Sequence, residues 1–394
     1  MLKMPLPVSP VGGPNEQLEE IRETAPVCPV RVPSGCEFYM LTRHDDIQAV
    51  LRDRRFSRKL TAPGSPSLVG NGVETVEGGI FNLDPPDHTR VRKVIAPFFT
   101  PGGVDRLVPM IQGHVNRQLD RIETGPPTFD LHTAYAAPLS LEVFCDVMGI
   151  RHEWRQAIGT AFQTGVELRR DHTSAQDATD RVIEVSRSLA ASGDVAPDGP
   201  IAALTAAHAE GRISHDELVG TIVHLFVASL DPTVGTVTMG ALSLLRHPGQ
   251  LAEVLREPAL WPRAVEEVLR FHHDAQVSFP RVALEDVEIH GVTIRRGEGV
   301  ITSMLAGMWD PRRYPDPERF DFHRDEGDKH FADLSFGDGP HHCLGAWLAR
   351  RYLTILLRSL FTRFPRLSPA VDWQDIPWDN SILFARPAEL WVTR

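Results

Sequence analysis

The stretch from Ser214 to Leu245 constrains this chain more than any other. Ser214 is followed three residues later by Glu217, the pattern of a capping box that starts a helix. An apolar pattern then runs to Leu245, and Arg246-His-Pro-Gly stops it. The span is roughly 31 residues, or about 47 Å at 1.5 Å per residue. A helix of that length crosses a whole domain, so the sequence predicts one large unit built around it.

The middle of this helix reads Ala228-Ser229-Leu230-Asp231-Pro232-Thr233. An acid and a proline inside a buried helix are costly. Either the helix merely kinks or splits here, or the break lies beside a ligand. Pro232 has no N–H for the carbonyl of Ala228, which leaves that oxygen to bind water or substrate.

Other segments place smaller elements around this one. Residues 36–42 (CEFYMLT) read as a strand and RHDDIQAVLRD as the helix after it. WPRAVEEVLRF reads as a helix, and the alternating stretch after it as a strand pair around Gly291 and Gly297. Residues 61–79 and 191–200 are rich in turn formers. At 394 residues, length alone suggests two or three domains. No repeat or low-complexity linker divides the chain, so we expect a single domain over 1–394, with 1–35 as an extended segment.

With 41 basic and 52 acidic residues the net charge is −11, which argues against a phosphate-backbone binder. The 42% hydrophobic and 24% charged composition is that of a globular protein. No run reaches the ~18 apolar residues of a membrane span, and the start resembles no signal peptide. Four cysteines (Cys28, Cys36, Cys145 and Cys343) are too few for a disulfide scaffold. A reducing, cytoplasmic setting is expected, with any cysteine of interest a free thiolate or a ligand.

The chemistry concentrates in Phe336-Gly337-Asp-Gly-Pro-His341-His-Cys343-Leu-Gly345. The glycines permit a tight turn, and Cys343 sits just before a helical run. Helix-start amides favour negative charge and depress a thiol's pKa. A buried structural cysteine is the blander alternative. A zinc site is weaker still, because three adjacent residues rarely form one tetrahedral shell.

This loop resembles the haem-binding loop of the cytochromes P-450, Phe-x-x-Gly-x-His/Arg-x-Cys-x-Gly. Glu267-Val-Leu-Arg270 resembles the family's Glu-x-x-Arg, and Pro317-Glu-Arg319-Phe320 the segment whose arginine completes that ion cluster. His88 and Arg92 in DPPDHTRVR, and Arg281 in PRVA, match positions that meet haem propionates. The resemblance runs from about residue 36 to the end. It implies a mostly α fold with small β-sheets and a long central helix crossing over a haem.

The resemblance further implies haem b as cofactor, with Cys343 as the iron ligand whose electron donation favours O–O cleavage. Phe336, Gly337 and Gly345 then shape the loop, and Ala228 lies over the haem. His88, Arg92, Arg281 and His341 neutralise the propionates. Electrons come from NAD(P)H through a separate ferredoxin and its reductase, because the chain carries no flavin or iron–sulfur motif. Arg350 and Arg351 are candidates to receive that acidic donor. The implied function is dioxygen-dependent oxidation of a mainly apolar small molecule in secondary metabolism, with no nucleic acid or membrane as partner.

The chain departs from the family at the central helix. There the first of two threonines, which steers protons to dioxygen, is replaced by Pro232. Asp231 with water, or another hydroxyl, is then needed. Thr233 is rotated about 100° from position 232, whereas Ser229 shares its face. The alternative is oxidation without oxygen insertion, such as aromatic radical coupling or ring closure. A remoter one is a haem-free helper of another enzyme, although such members lack the axial cysteine. By position, His224, Val227, Val277, Phe279, Leu383 and Phe384 are expected to face substrate, with loops near 61–80 and 160–200 as a lid.

Overall fold

A computed structural model describes residues 1–9, 12–62, 64–69, 76–169, 175–272, 275–324, 331–381 and 385–394. The helices that build the site are α1 (Glu16–Thr24), α2 (His44–Arg52), α3 (Asp87–Ile95), α4 (Ala137–Met148), α5 (His215–Arg246), α6 (Trp261–Phe271) and α7 (Ala346–Arg363). The relevant strands are β1 (Leu2–Lys3), β2 (Val27–Arg31), β3 (Glu37–Leu41), β4 (Phe56–Ser57), β5 (Arg281–Ala283), β6 (Gly299–Thr302), β7 (Trp378–Asn380) and β8 (Ala385–Pro387).

The expected long helix is α5, 32 residues without interruption. Its start is the capping box read from sequence: Ser214 Oγ accepts from Glu217 N at 3.1 Å, and Glu217 Oε2 accepts from Ser214 N at 2.8 Å. The helix continues through Pro232 instead of splitting. Threonine hydroxyls on the next turn donate back to i−4 carbonyls there: Thr233 to Ser229 at 2.6 Å and Thr236 to Pro232 at 2.7 Å. Such back-bonding accommodates a bend. By length and composition α5 is apolar enough to cross a membrane, which corrects the expectation from run length. However, 72% of its most apolar window is buried within the fold, as in the core helix of a globule.

The first 35 residues are not merely extended. Asn15 Oδ1 caps α1 by accepting from Leu18 N at 2.8 Å. Strands β1 and β2 open a six-stranded sheet of order β1-β2-β3-β6-β5-β4. Leu18 packs with Val30, Phe38, Met40 and Ile301 in an apolar cluster that fixes this sheet to the body. In the sheet, Arg281 of β5 pairs with Val300 of β6, while Val282 pairs with Ser57 of β4. That register fixes where Arg281 stands at the edge of the central cavity. A hairpin (Val287–Ile289 with Val292–Ile294) turns at Gly291, φ +75°, as the sequence suggests.

Candidate active site

The loop before α7 is built for close approach. Cys343 N–H donates to the Phe336 carbonyl at 2.8 Å, and Gly337 and Gly339 take positive φ. A Cβ on Gly339 would meet the Leu51 carbonyl oxygen at 2.5 Å, so the loop lies directly on the end of α2. The turn leaves the Cys343 sulfur open to a cavity of about 480 Å³, deep in the fold. Burial pushes this thiol's pKa up, against the depression expected from the helix start. The Gly345 N–H and the charges of Arg92 and Arg350 act the other way without prevailing. The desolvated site therefore favours a thiolate only when a positive centre accompanies it.

One end of the cavity collects cations. His88 and Arg92 come from α3, Arg281 from β5 and His341 from the loop, and all four line the cavity. Burial lowers Arg92 and takes Arg281 to about 10. It takes His88 to about 4 and His341 lower still, with the neighbouring guanidinium charges adding to the effect. The His88 and His341 rings lie 4.2 Å apart, and His341 Nε2 is buried with no hydrogen-bond partner. No carboxylate lies within ion-pairing distance of Arg92 or Arg281 among the described residues. Two buried arginines and two histidines without anions suit a ligand bearing two carboxylates, so this donor set fits haem. Arg58, which sequence reasoning missed, lies nearby and donates to the Phe81 carbonyl at 3.1 Å and the Phe279 carbonyl at 3.3 Å.

The middle of α5 forms another part of the wall. Val227, Ala228, Ser229, Pro232, Thr233 and Thr236 line the cavity along one face. Thr233 thus lies on the cavity wall beside Ser229, while its Oγ1 is 3.0 Å from Ser140 Oγ of α4. Asp231 is buried against Arg386 of β8, which grips its carboxylate and also donates to its backbone carbonyl at 2.9 Å. Sequence reasoning missed Arg386, because nothing local marks a partner 155 residues away.

Among the expected substrate-facing residues, His224, Val227, Val277 and Phe279 line the cavity. His224 Nδ1 accepts from Phe81 N at 2.9 Å, and the two rings stack 4.3 Å apart. Gly79 permits this, since a Cβ there would meet the His224 ring at 2.3 Å. Leu383 and Phe384 lie outside the described residues, as do parts of both expected lid loops.

The buried ion cluster differs from the expected one. Arg270 donates twice to Glu267, at 2.8 Å each, and both side chains are fully buried. Arg319 contributes only its carbonyl, 3.3 Å from Arg270 Nη2; its side chain is 69% exposed beside Asp321. The second cation is Arg324, 7% exposed, with Nε 3.6 Å from Glu267 Oε2. The charge that balances the carboxylate is the one that stays buried with it, and Arg319 points outward.

Arg350 is not free to receive a partner either. It donates to Glu266 at 2.5 Å and lies 4.4 Å over the Phe336 ring, bracing the cysteine loop. Arg351 is exposed and pairs with Asp105 at 2.8 Å.

A thiol facing a buried cavity, cations at one end and a proline-bearing helix along the wall describe a haem-thiolate oxidase. The family model for cytochrome P450 matches residues 163–390. The chain is 35% identical over 379 residues to nocardicin C N-oxygenase of Nocardia uniformis subsp. tsuyamanensis, covering 95% of this chain and 94% of that protein. Among solved structures, mycinamicin VIII C21 methyl hydroxylase from Micromonospora griseorubida superposes with a TM-score of 0.90 at 29% identity, over 100% of both chains. A cytochrome P450 for C–S bond formation in chuangxinmycin biosynthesis gives 0.88 at 29% identity, over 99% of this chain and 96% of that one. The chain belongs to the cytochrome P450 family. It is a haem-dependent oxidoreductase that draws electrons from redox partners.

Proposed function

We propose that this chain is a single-domain, cytoplasmic monooxygenase that inserts oxygen into a mainly apolar secondary metabolite. Ferredoxin and its reductase supply electrons from NAD(P)H. The observation that carries this reading is the Cys343 sulfur facing an apolar-walled cavity with four basic groups at one end, His341 Nε2 among them without a hydrogen-bond partner. Cys343 would hold the iron, and Arg92, Arg281, His88 and His341 would hold the carboxylates. When bound, haem supplies the dioxygen-activating metal.

The protein's own share is binding, exclusion of water and proton handling. Val143, Phe144, Val227, Val277 and Phe279 offer an apolar surface that selects for an apolar substrate. Ala228, with only a methyl group, leaves room on the α5 wall. Its carbonyl cannot be paired by Pro232, and beside the Ser229 hydroxyl it can hold a water for protons. Asp231, clasped by Arg386, keeps a charge next to that water.

Comparing Pro232→Thr with the parent tests this, by product formed per electron consumed. The variant's new N–H pairs the Ala228 carbonyl, so the proposal expects poorer coupling, and unchanged or better coupling refutes the water site at Ala228. Pro232 also supports the second reading, oxidation without oxygen insertion, for which the C–S bond-forming neighbour is a precedent. A haem-free helper is disfavoured by the intact cysteine loop.

A further inference from the structure

The nine-residue helix α2 touches the loop before Cys343 at both of its ends. At its start, His44 is buried and its Nε2 lies 3.0 Å from Asp333 Oδ1. At its end, Arg52 Nη2 lies 2.8 Å from Asp338 Oδ2. Beside Arg52, the Leu51 carbonyl abuts Gly339, whose φ of +69° and missing side chain permit the contact.

The two carboxylates held by α2 are those that start the two turns leading to Cys343. Asp333 is the first residue of a 3₁₀ turn, Asp333–Phe336. Its Oδ1 accepts from Leu334 N at 2.8 Å and lies 2.8 Å from the Tyr314 hydroxyl. At the far end of that turn, the Phe336 carbonyl accepts from Cys343 N–H at 2.8 Å. Asp338 caps the next turn, Gly339–His341, by accepting from Gly339 N at 2.5 Å.

His44 is placed to be charged. Its Nδ1 lies 3.0 Å from Asp45 Oδ1, so both ring nitrogens face carboxylate oxygens, which only accept. A neutral imidazole has one N–H and satisfies one of them, whereas the imidazolium satisfies both. Burial works against the charge, but the hydrogen bonds to Asp333 and Asp45 outweigh it and raise the pKa.

We propose that α2 is a two-point clamp on the cysteine loop, with His44 and Arg52 as positioning residues for the iron ligand, acting through Asp333 and Asp338. The clamp keeps the Phe336 carbonyl where it takes the Cys343 N–H, and so fixes how the sulfur faces the cavity and donates to the metal. His44 carries most of the effect, because its side chain is buried while that of Arg52 is exposed. The inference rests on the haem reading of the cavity.

The test uses the haem-loaded full chain with carbon monoxide as probe. The infrared C–O stretch of the reduced carbonyl complex rises as the ligand trans to it donates less charge. His44→Leu should raise this stretch. It should also speed the change of the long-wavelength carbonyl band into the short-wavelength one by about tenfold or more, the worth of one charge-assisted hydrogen bond. Arg52→Ala should do both to a smaller extent. His44→Gln, which keeps a donor for Asp333, should stay close to the parent. Leu18→Ala, which loosens the N-terminal apolar cluster, should lower the urea midpoint and keep the parent's C–O stretch.

A parent-like stretch and conversion rate in His44→Leu would overturn the proposal. A Leu18→Ala shift equal to that of His44→Leu would also overturn it, because the stretch would then follow overall stability. If His44→Leu does not load haem, Asp333→Asn decides: it keeps an acceptor for Leu334 N–H but not the charge, and it must raise the stretch. A parent without a thiolate-type carbonyl spectrum refutes the haem reading as well. A parent with that spectrum but unresponsive variants refutes this proposal alone.

Discussion

At the Arg281 end of the cavity, buried basic groups stand without an ion-paired carboxylate among the described residues; around Pro232 of α5, polar groups are answered from two other elements. Arg281 and Arg92 lose proton affinity to burial, and His341 Nε2 has no partner. Asp231 is gripped by Arg386, and Thr233 is met by Ser140. Uncompensated buried charge is expensive unless something arrives to pair it. The first region is therefore unfinished without its dianionic cofactor, whereas the second is completed by the chain itself. The Ala228 carbonyl is the exception there, and Ala228 lines the cavity.

This contrast can be broken by stability measurements. Replacing Arg386 by Ala strands the Asp231 carboxylate, and breaking such a buried pair costs about 3–5 kcal/mol. Replacing Arg281 by Ala in the haem-free protein removes an unpaired charge and should leave stability unchanged or raised. Urea unfolding of both haem-free variants checks this. Equal losses would show that Arg281 has a partner and that the two regions do not differ.

With haem bound the order reverses at the cationic end. Each of Arg92→Ala and Arg281→Ala removes a charge-assisted hydrogen bond, worth about 1.5–3 kcal/mol, or roughly ten- to hundred-fold in haem affinity. Haem titration of the apoprotein measures the loss.

The pH dependence is a finer probe. His88 is held neutral down to about 4 against an ordinary 6.5. The unfolded chain takes up the proton first, so haem-free stability should fall as pH drops from about 6.5 toward about 4. Carboxylates of the bound cofactor favour the charged ring, so the loaded protein should lose less. His272, fully buried and depressed to about 3, should contribute the same slope in both forms. The urea midpoint against pH, with His88→Gln as comparison, separates the two. The smallest effect is expected from Arg351→Ala, an exposed pair worth under about 1 kcal/mol.

What the sequence made legible was local. The capping box of α5, the cysteine loop and the Glu267–Arg270 pair each lie within a few residues, so spacing alone specifies them. The cation set needed family resemblance, because α3, β5 and the loop meet only in the fold. Arg324 was missed because the matching arginine by position, Arg319, has its side chain turned outward. Arg386 and Ser140 lie far in sequence from the α5 residues they meet, and no periodicity encodes such pairings. Turning position 233 by one residue step correctly separates it from 232, yet a broad cavity face takes in both. Residues 1–35 look irregular in sequence because α1 is short and β1 has only two residues, paired with β2 from across that helix.

The account stands on Cys343 acting as a thiolate ligand inside this cavity. Carbonyl difference spectroscopy of the reduced holoprotein, beside Cys343→Ser, tests it directly. The parent should show the long-wavelength Soret band of a thiolate-bound carbonyl complex, and the variant should lose it while still folding. An absent band in the parent, or one at the shorter wavelength of a neutral ligand, would contradict the account.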